Sequence, residues 1–254
     1  MLLAIDIGNT NTVFAVFKGG RLLNSWRLST QNARSADEYA VFLDQVFKLA
    51  NLQLKTINAV IVSSVVPEVN FHIQRLCEGY IGQSPVFITK DNVPIEIDVD
   101  RPEDVGADRL VNALAVKTHY QPAAIVIDFG TATTFDVIGD SGAYVGGVIA
   151  PGIDLSMNAL HQAASKLPKV SVEKPDYVIG KSTVQAMRSG IYWGYSGLIE
   201  GVVSKISSEL SGDVLVLATG GLAPLFAEDN PVIDMVDEDL TLKGLYEIGK
   251  HIGI

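Results

Sequence analysis

Ala4-Ile5-Asp6-Ile7-Gly8-Asn9-Thr10-Asn11-Thr12 and Val126-Ile127-Asp128-Phe129-Gly130-Thr131-Ala132-Thr133-Thr134 are close to one peptide written twice. Each is an apolar strand that ends in Asp, turns on a Gly and returns through Thr into a second apolar run. That run is Val13 to Phe17 in the first copy and Phe135 to Ile138 in the second. Asp6 and Asp128 stand 122 positions apart in a chain of 254. The spacing predicts one domain duplicated, with halves of 1–120 and 121–254 meeting near Tyr120-Gln121-Pro122.

The turn chemistry suits a phosphate. Glycine lets backbone N–H groups approach an anion closely, and Thr and Asn add neutral hydrogen bonds. An Asp at the strand end can hold Mg²⁺ directly or through water. Two such hairpins facing each other across a cleft would grip a triphosphate from both sides. Asp, Gly, Asn and Thr also fill ordinary turns; their recurrence at the opening of each half favours phosphate binding.

Composition narrows the partners. With 48% hydrophobic residues and a mean hydropathy of +0.27, the chain can bury a substantial core. A net charge of −10 and the absence of any basic run argue against nucleic acid or an anionic membrane as partner. Neither Asp6–Thr12 nor Asp128–Thr134 contains Lys or Arg, so metal cations and backbone amides must neutralise a bound triphosphate. Mg²⁺ is therefore expected, with a second cation beside it.

The single cysteine, Cys77, excludes an intrachain disulfide, and its neighbours Ile73, Leu76 and Tyr80 predict a buried helical position. The four histidines show no metal-ligand spacing. Asp6 lies too early for a signal peptide, and no apolar run reaches the ~18 residues of a membrane span. A soluble, cytoplasmic protein is expected.

Residues 2–7, 12–17 and 21–28 read as three short strands. Ser35 and Glu38 form a capping box before a helix with Tyr39, Leu43, Val46, Phe47 and Ala50 on one face. The continuous apolar run from Ile57 to Val66 predicts a buried parallel strand, Pro67 a helix start, and 85–89 another strand. The second half repeats the plan: strands at 123–128, 133–139 and 143–149, helices near 153–165 and 182–210, a strand at 213–218 and a helix from about 240. Antiparallel strands followed by alternating helices and strands predict two duplicated ribonuclease-H-like α/β domains. Gly190, Gly194, Gly197 and Gly201 line roughly one side of the long helix. Glycine is costly there, so these sites serve close packing within the domain, ligand approach or a subunit interface.

Four further segments carry chemistry. Gly106-Ala107-Asp108-Arg109 stands at the start of a helix marked by Leu110, Val111, Leu114 and Ala115. The helix dipole would keep Asp108 ionised, and phosphoryl transfer asks of a carboxylate only that it orient a hydroxyl and accept its proton late. Arg109 can stabilise Asp108 or hold an anionic substrate. Gly146 to Gly152 links a strand to a helix start. Gly220-Gly221 follows the strand Val214 to Leu217 and suits passage of a nucleoside or phosphate. Gly180-Lys181-Ser182-Thr183 resembles the end of a P-loop, but position 175 is Pro where the motif requires Gly, so a Walker A is rejected. Thr183 can cap the long helix or donate to a substrate.

Duplicated Asp-x-Gly hairpins with a late Gly-Gly turn resemble the superfamily of acetate and sugar kinases, heat-shock chaperones and actin. Within it, the stretches at 6–12, 106–109, 128–134, 146–152 and 180–190 together resemble the type III pantothenate kinases. That resemblance implies an actin-like ATPase fold and transfer of the ATP γ-phosphate to pantothenate, giving 4′-phosphopantothenate on the way to coenzyme A. It further implies that Asp6, Ile7, Gly8, Asn9, Thr10, Asn11, Thr12 and Val13 bind ATP phosphates, with Thr131 also touching ATP. Asp108 would be the proton acceptor, while Gly106, Ala107, Asp108, Arg109 and Thr183 contact pantothenate. Asp128 would hold K⁺ or NH₄⁺, and the protein would act as a homodimer. Gly220 and Gly221 are expected on the nucleotide side. The family often carries Tyr where this chain has Val99, before Asp100-Arg101-Pro102, which alters the lining of the pantothenate pocket.

Two rivals remain at this stage. Another small-molecule kinase of the superfamily would keep both hairpins yet need neither 106–109 nor 180–190. A non-catalytic accessory regulator would lose the base or a hairpin Asp, whereas Asp6, Asp108 and Asp128 are all present. A chaperone-like clamp would require an additional substrate-binding domain.

Overall fold

In the computed structural model, which describes residues 1–120, 123–163 and 167–254, the chain forms two compact units. One is Met1–Tyr120 together with Asp239–Ile254, and the other is Gln121–Glu238. Gln121 and Pro122 of the expected boundary, and residues 164–165 of the helix expected to 165, lie outside the described residues.

The first unit opens with an antiparallel meander of Leu2–Ile7 (β1), Asn11–Lys18 (β2) and Arg21–Ser29 (β3). Ala36–Leu49 (α1) follows, begun by the expected capping box: Glu38 N–H donates to the Ser35 hydroxyl at 3.3 Å, and Ser35 N–H to the Glu38 carboxylate at 2.8 Å. Then come Ala59–Ser64 (β4), Pro67–Leu76 (α2) with Pro at its first turn, Val86–Phe87 (β5) and Ala107–His119 (α3). The sheet order is β3-β2-β1-β4-β5, with β4 parallel to β1.

The second unit repeats this layout. Ala124–Phe129 (β6), Ala132–Ile138 (β7) and Tyr144–Pro151 (β8) form the meander. Ile153–Ala163 (α4), Thr183–Glu209 (α5), Leu215–Gly220 (β9), Ala223–Ala227 (α6) and Met235–Val236 (β10) follow. Its order, β10-β9-β6-β7-β8, is the first unit's order read from the other edge. The duplication inferred from two short peptides is thus carried by two whole sheets. The closing helix, Leu240–His251 (α7), belongs with the first unit.

The side-chain alternation of β1 sorts its two faces. Leu3, Ile5 and Ile7 join Tyr39, Leu43 and Phe47 of α1 and Val69, Ile73 and Leu76 of α2 in one core. The opposite face, that of Leu2, Ala4 and Asp6, lies toward α3 and α7. A Cβ added to Gly249 of α7 would stand 3.0 Å from Leu2. One added to Gly244 would run into the Val111 carbonyl of α3, and Thr241 donates to Asn112 at 2.7 Å. This glycine crossing explains why a helix adjacent in sequence to the second unit closes on the first.

Cys77 is buried at the head of a π-helical turn, Cys77–Ile81, and burial pushes its thiol up to about 12, so it is an inert core residue. Among the described residues no helix is long and apolar enough to cross a membrane.

Candidate active site

Asp6 and Asp128 are each the penultimate residue of their strand, and each begins the same kind of turn. In the first hairpin Gly8 N–H donates to the Asn11 carbonyl at 2.9 Å. Thr30, just past β3, anchors that turn: its hydroxyl donates to the Gly8 carbonyl at 2.7 Å and lies 2.9 Å from the Thr12 hydroxyl, while its N–H donates to the Thr10 carbonyl at 2.9 Å. Asn9 and Thr10 at the tip are exposed.

The second turn is one residue shorter, since Phe129 pairs with Thr133 where Ile7 pairs with Thr12. Gly152 takes the place of Thr30, and a Cβ there would collide with the Thr131 carbonyl. The Thr133 hydroxyl, equivalent to that of Thr12, is fully buried and has no hydrogen-bond partner among the described residues.

Asp108 is the second residue of α3, after Gly106 as cap. Arg109 N–H donates to its carboxylate at 2.9 Å. A Cβ on Gly106 would stand 2.5 Å from Asp108 Oδ1, so only glycine lets the carboxyl fold back over the helix start. Sequence reasoning expected the helix start to hold Asp108 fully ionised. Burial works against that effect and raises its pKa, outweighing the lowering by the Arg109 N–H and guanidinium. A base with a raised pKa accepts a proton more readily, which favours the proposed role.

Asp6 lies on the same face of β1 as α3. Its pKa rises from 3.8 to about 7, chiefly through burial and then through the charge of Asp108, against lowering by the Ser63 hydroxyl and by Arg27. Two carboxylates in mutual repulsion within one unit form a site short of positive charge.

In the second unit, β6 runs parallel to β9 with Asp128 opposite Thr219 and Phe129 opposite Gly220. Gly220 has a φ of 91°, and a Cβ there would lie 2.7 Å from the Phe129 carbonyl and 2.9 Å from Asp128 Oδ1. The Gly220-Gly221 turn, expected on the nucleotide side, therefore abuts Asp128, a proximity only the sheet pairing could reveal. Thr131 is exposed at the hairpin tip. Thr183 is the exposed first residue of α5, and the capping falls to Ser182, whose hydroxyl accepts from Gln185 N–H at 3.3 Å. Gly190, Gly194, Gly197 and Gly201 do not pack internally: a Cβ on any of them would meet no described atom within 4 Å.

Sequence reasoning missed Arg27, Ser63 and Thr219. All three join the site through strand register, which no local motif encodes.

Cation binding can be tested on the donor chemistry. No cluster of three or more His, Cys, Asp or Glu suited to a metal exists among the described residues. Mg²⁺ held by one carboxylate together with substrate phosphates fits Asp6, whose pKa is raised by burial and then by the Asp108 charge. The single carboxylate of Asp128, with the Phe129 carbonyl alongside Gly220, fits a monovalent cation.

The sequence model of the type III pantothenate kinase family matches residues 2–205. The type III pantothenate kinase of Paramagnetospirillum magneticum is 54% identical over 253 residues, covering 99% of this chain and 97% of that one. Among solved structures, a Sinorhizobium meliloti protein assigned as a 2-dehydro-3-deoxygalactonokinase aligns with a TM-score of 0.64 at 12% identity, over 100% of this chain and 97% of its own. A Campylobacter jejuni protein assigned to the Baf transcriptional-activator family aligns with a TM-score of 0.61 at 20% identity, over 98% of both chains. These two structures share the fold, a two-domain α/β architecture of the sugar-kinase and actin-like ATPase type.

Proposed function

The chain belongs to the type III pantothenate kinase family, and from that premise we propose that it phosphorylates pantothenate with ATP to give 4′-phosphopantothenate, using Asp108 as proton acceptor. The observation that carries this reading is the half-buried Asp108 at the start of α3, held by Arg109 N–H at 2.9 Å, with its charge felt at Asp6 of the hairpin.

In this mechanism the backbone amides of 6–13 bind ATP phosphates, and Thr131, Gly220 and Gly221 are further nucleotide contacts. Gly106, Ala107, Arg109 and Thr183 hold pantothenate, while Asp108 orients its hydroxyl and takes the proton as the new O–P bond forms. Asp6 would hold Mg²⁺ directly or through water; the ion, when bound, offsets charge on the phosphate oxygens. Asp128 would hold K⁺ or NH₄⁺. Val99, where the family resemblance implies Tyr, bears on pantothenate affinity unless another side chain fills the space, and leaves the chemistry at Asp108 untouched.

The decisive assay is ADP release from MgATP with and without pantothenate in K⁺ buffer. Pantothenate-dependent ADP with equal phosphopantothenate is expected; ADP that ignores pantothenate would overturn the substrate. Exchanging K⁺ for Na⁺ in that assay should cut kcat/KM at least about tenfold, because a cage sized for K⁺ discriminates against the smaller ion. Indifference to the exchange would remove the cation role from Asp128.

We also propose a homodimer through α5. The open glycine face continues into an apolar groove lined by Val148, Gly197, Leu198, Gly201, Val202 and Ile206, with Val148 38% exposed. Open glycines and exposed aliphatics on one surface suit close contact with a second copy. Light scattering should read twice the 27.2 kDa chain mass, and Gly197→Glu should return it to 27.2 kDa. A wild-type monomer at micromolar concentration would sink this assignment.

A further inference from the structure

The register of the two sheets defines one equivalent row in each unit. In the first, Ser63 on β4, Asp6 on β1, Val13 on β2 and Arg27 on β3 stand opposite one another. In the second, the row is Thr219, Asp128, Thr134 and Ile149. Register partners project from the same face of a sheet, so Arg27 shares the face of Asp6. The copies agree at the hydroxyl and the carboxylate, differ at the third position (Val13 against Thr134) and diverge most in chemistry at the fourth. There the first unit places a guanidinium and the second an exposed isoleucine.

The Arg27 side chain is exposed and makes no hydrogen bond or ion pair with any described residue. Two strand spacings, about 10 Å, separate its backbone from that of Asp6, and its long side chain can span much of that gap. Its strand is fastened to the turn: Thr30, three residues on, bonds to the backbone of Gly8 and Thr10. Arg27 and the turn amides therefore hold a constant spacing. The cation absent from the hairpin peptide itself is supplied from the neighbouring strand.

We propose that Arg27 contacts the phosphate groups of the nucleotide bound at the first hairpin, with its fork of N–H donors set along the row that contains Asp6. This rests on the kinase reading and adds to it a contact that the hairpin residues cannot make. Arginine suits the task because it stays charged and pairs two donors with two phosphate oxygens. Its charge also lowers the Asp6 carboxyl against burial, consistent with its direction.

The test compares Arg27→Gln and Arg27→Lys with the wild type in steady-state kinetics and in direct binding of ATP, ADP and AMP. In R27Q the KM for MgATP should rise roughly 10- to 100-fold, the range of a lost charged hydrogen bond. The KM for pantothenate should stay within about twofold and R27K should recover part of the loss. Wild-type affinity should fall from ATP to AMP, and R27Q should flatten that series. An unchanged KM for MgATP overturns the proposal. So does a rise confined to pantothenate, which would assign the guanidinium to the acceptor's carboxylate. A shifted pH profile with both KM values intact also overturns it, leaving Arg27 to act only on Asp6. A wild type that binds nucleotide but forms no phosphopantothenate would sink the kinase reading alone, and the binding series would still judge Arg27.

Discussion

Asp108→Asn is expected to lower kcat by about 10³-fold while MgATP binding stays within a few-fold. Asparagine preserves the size of the side chain and can still accept from Arg109 N–H, the bond that now measures 2.9 Å. It removes the carboxylate charge and with it the proposed capacity to take a proton from the acceptor hydroxyl. The proposed phosphate contacts lie in the hairpin at 6–13, which the substitution leaves intact. Steady-state kinetics combined with calorimetric titration of nucleotide separates the two effects. A variant that keeps near-normal kcat would show that another group accepts the proton. Because the Asp108 pKa is raised by burial, wild-type kcat should also climb with pH on its acid limb as this carboxyl ionises.

Asp6→Asn is expected to stabilise the ligand-free protein near neutral pH while removing its use of MgATP. The Asp6 pKa in the fold is about 7 against 3.8 ordinarily, through burial and the neighbouring Asp108 charge. A raised carboxyl keeps its proton in the folded chain at pH values where the unfolded chain has lost it. Its stabilising contribution is therefore complete below about pH 3.8, declines between there and about pH 7, and is gone above. The burden at pH 8 is about 2–4 kcal/mol, taken below the full shift because Asp6 keeps some contact with solvent. Denaturant melts at pH 5 and pH 8 should show the wild type losing more stability than D6N across that interval. Equal pH dependence in the two proteins would mean that the Asp6 charge is already compensated. Saturating MgATP should reverse the ranking, since bound cation and nucleotide favour the ionised wild-type carboxyl.

The same local chemistry that made the hairpins legible also limited what could be read. Ser35 and Glu38 lie three residues apart, and the turn from Asp6 to Thr12 is a single short peptide; their hydrogen bonds close within a few residues, so the peptide alone specifies them. The repeat at Asp128 added the prediction of two like sheets, which the strand orders bear out. Family membership was legible for a similar reason, since the five motif stretches are each contiguous. Other properties required distant residues to meet. The helix start favours the charged form of Asp108, and the opposing effect of its burial became visible only in the folded unit. The glycines of α5 suggested internal packing as readily as an interface, and only the surrounding empty space distinguishes the two.

From sequence alone came the duplicated α/β plan, the two phosphate-suited turns and the acid at the start of α3, because hydrogen-bonding pattern and apolar period are properties of neighbouring residues. Tertiary structure alone decided that α7 closes on the first unit, that Gly220 abuts Asp128 and that Arg27 stands in the row of Asp6. Each of these depends on strand register or on glycine contacts between separate elements. Such contacts join residues far apart in the chain, and packing selects them rather than any short-range preference of the peptide.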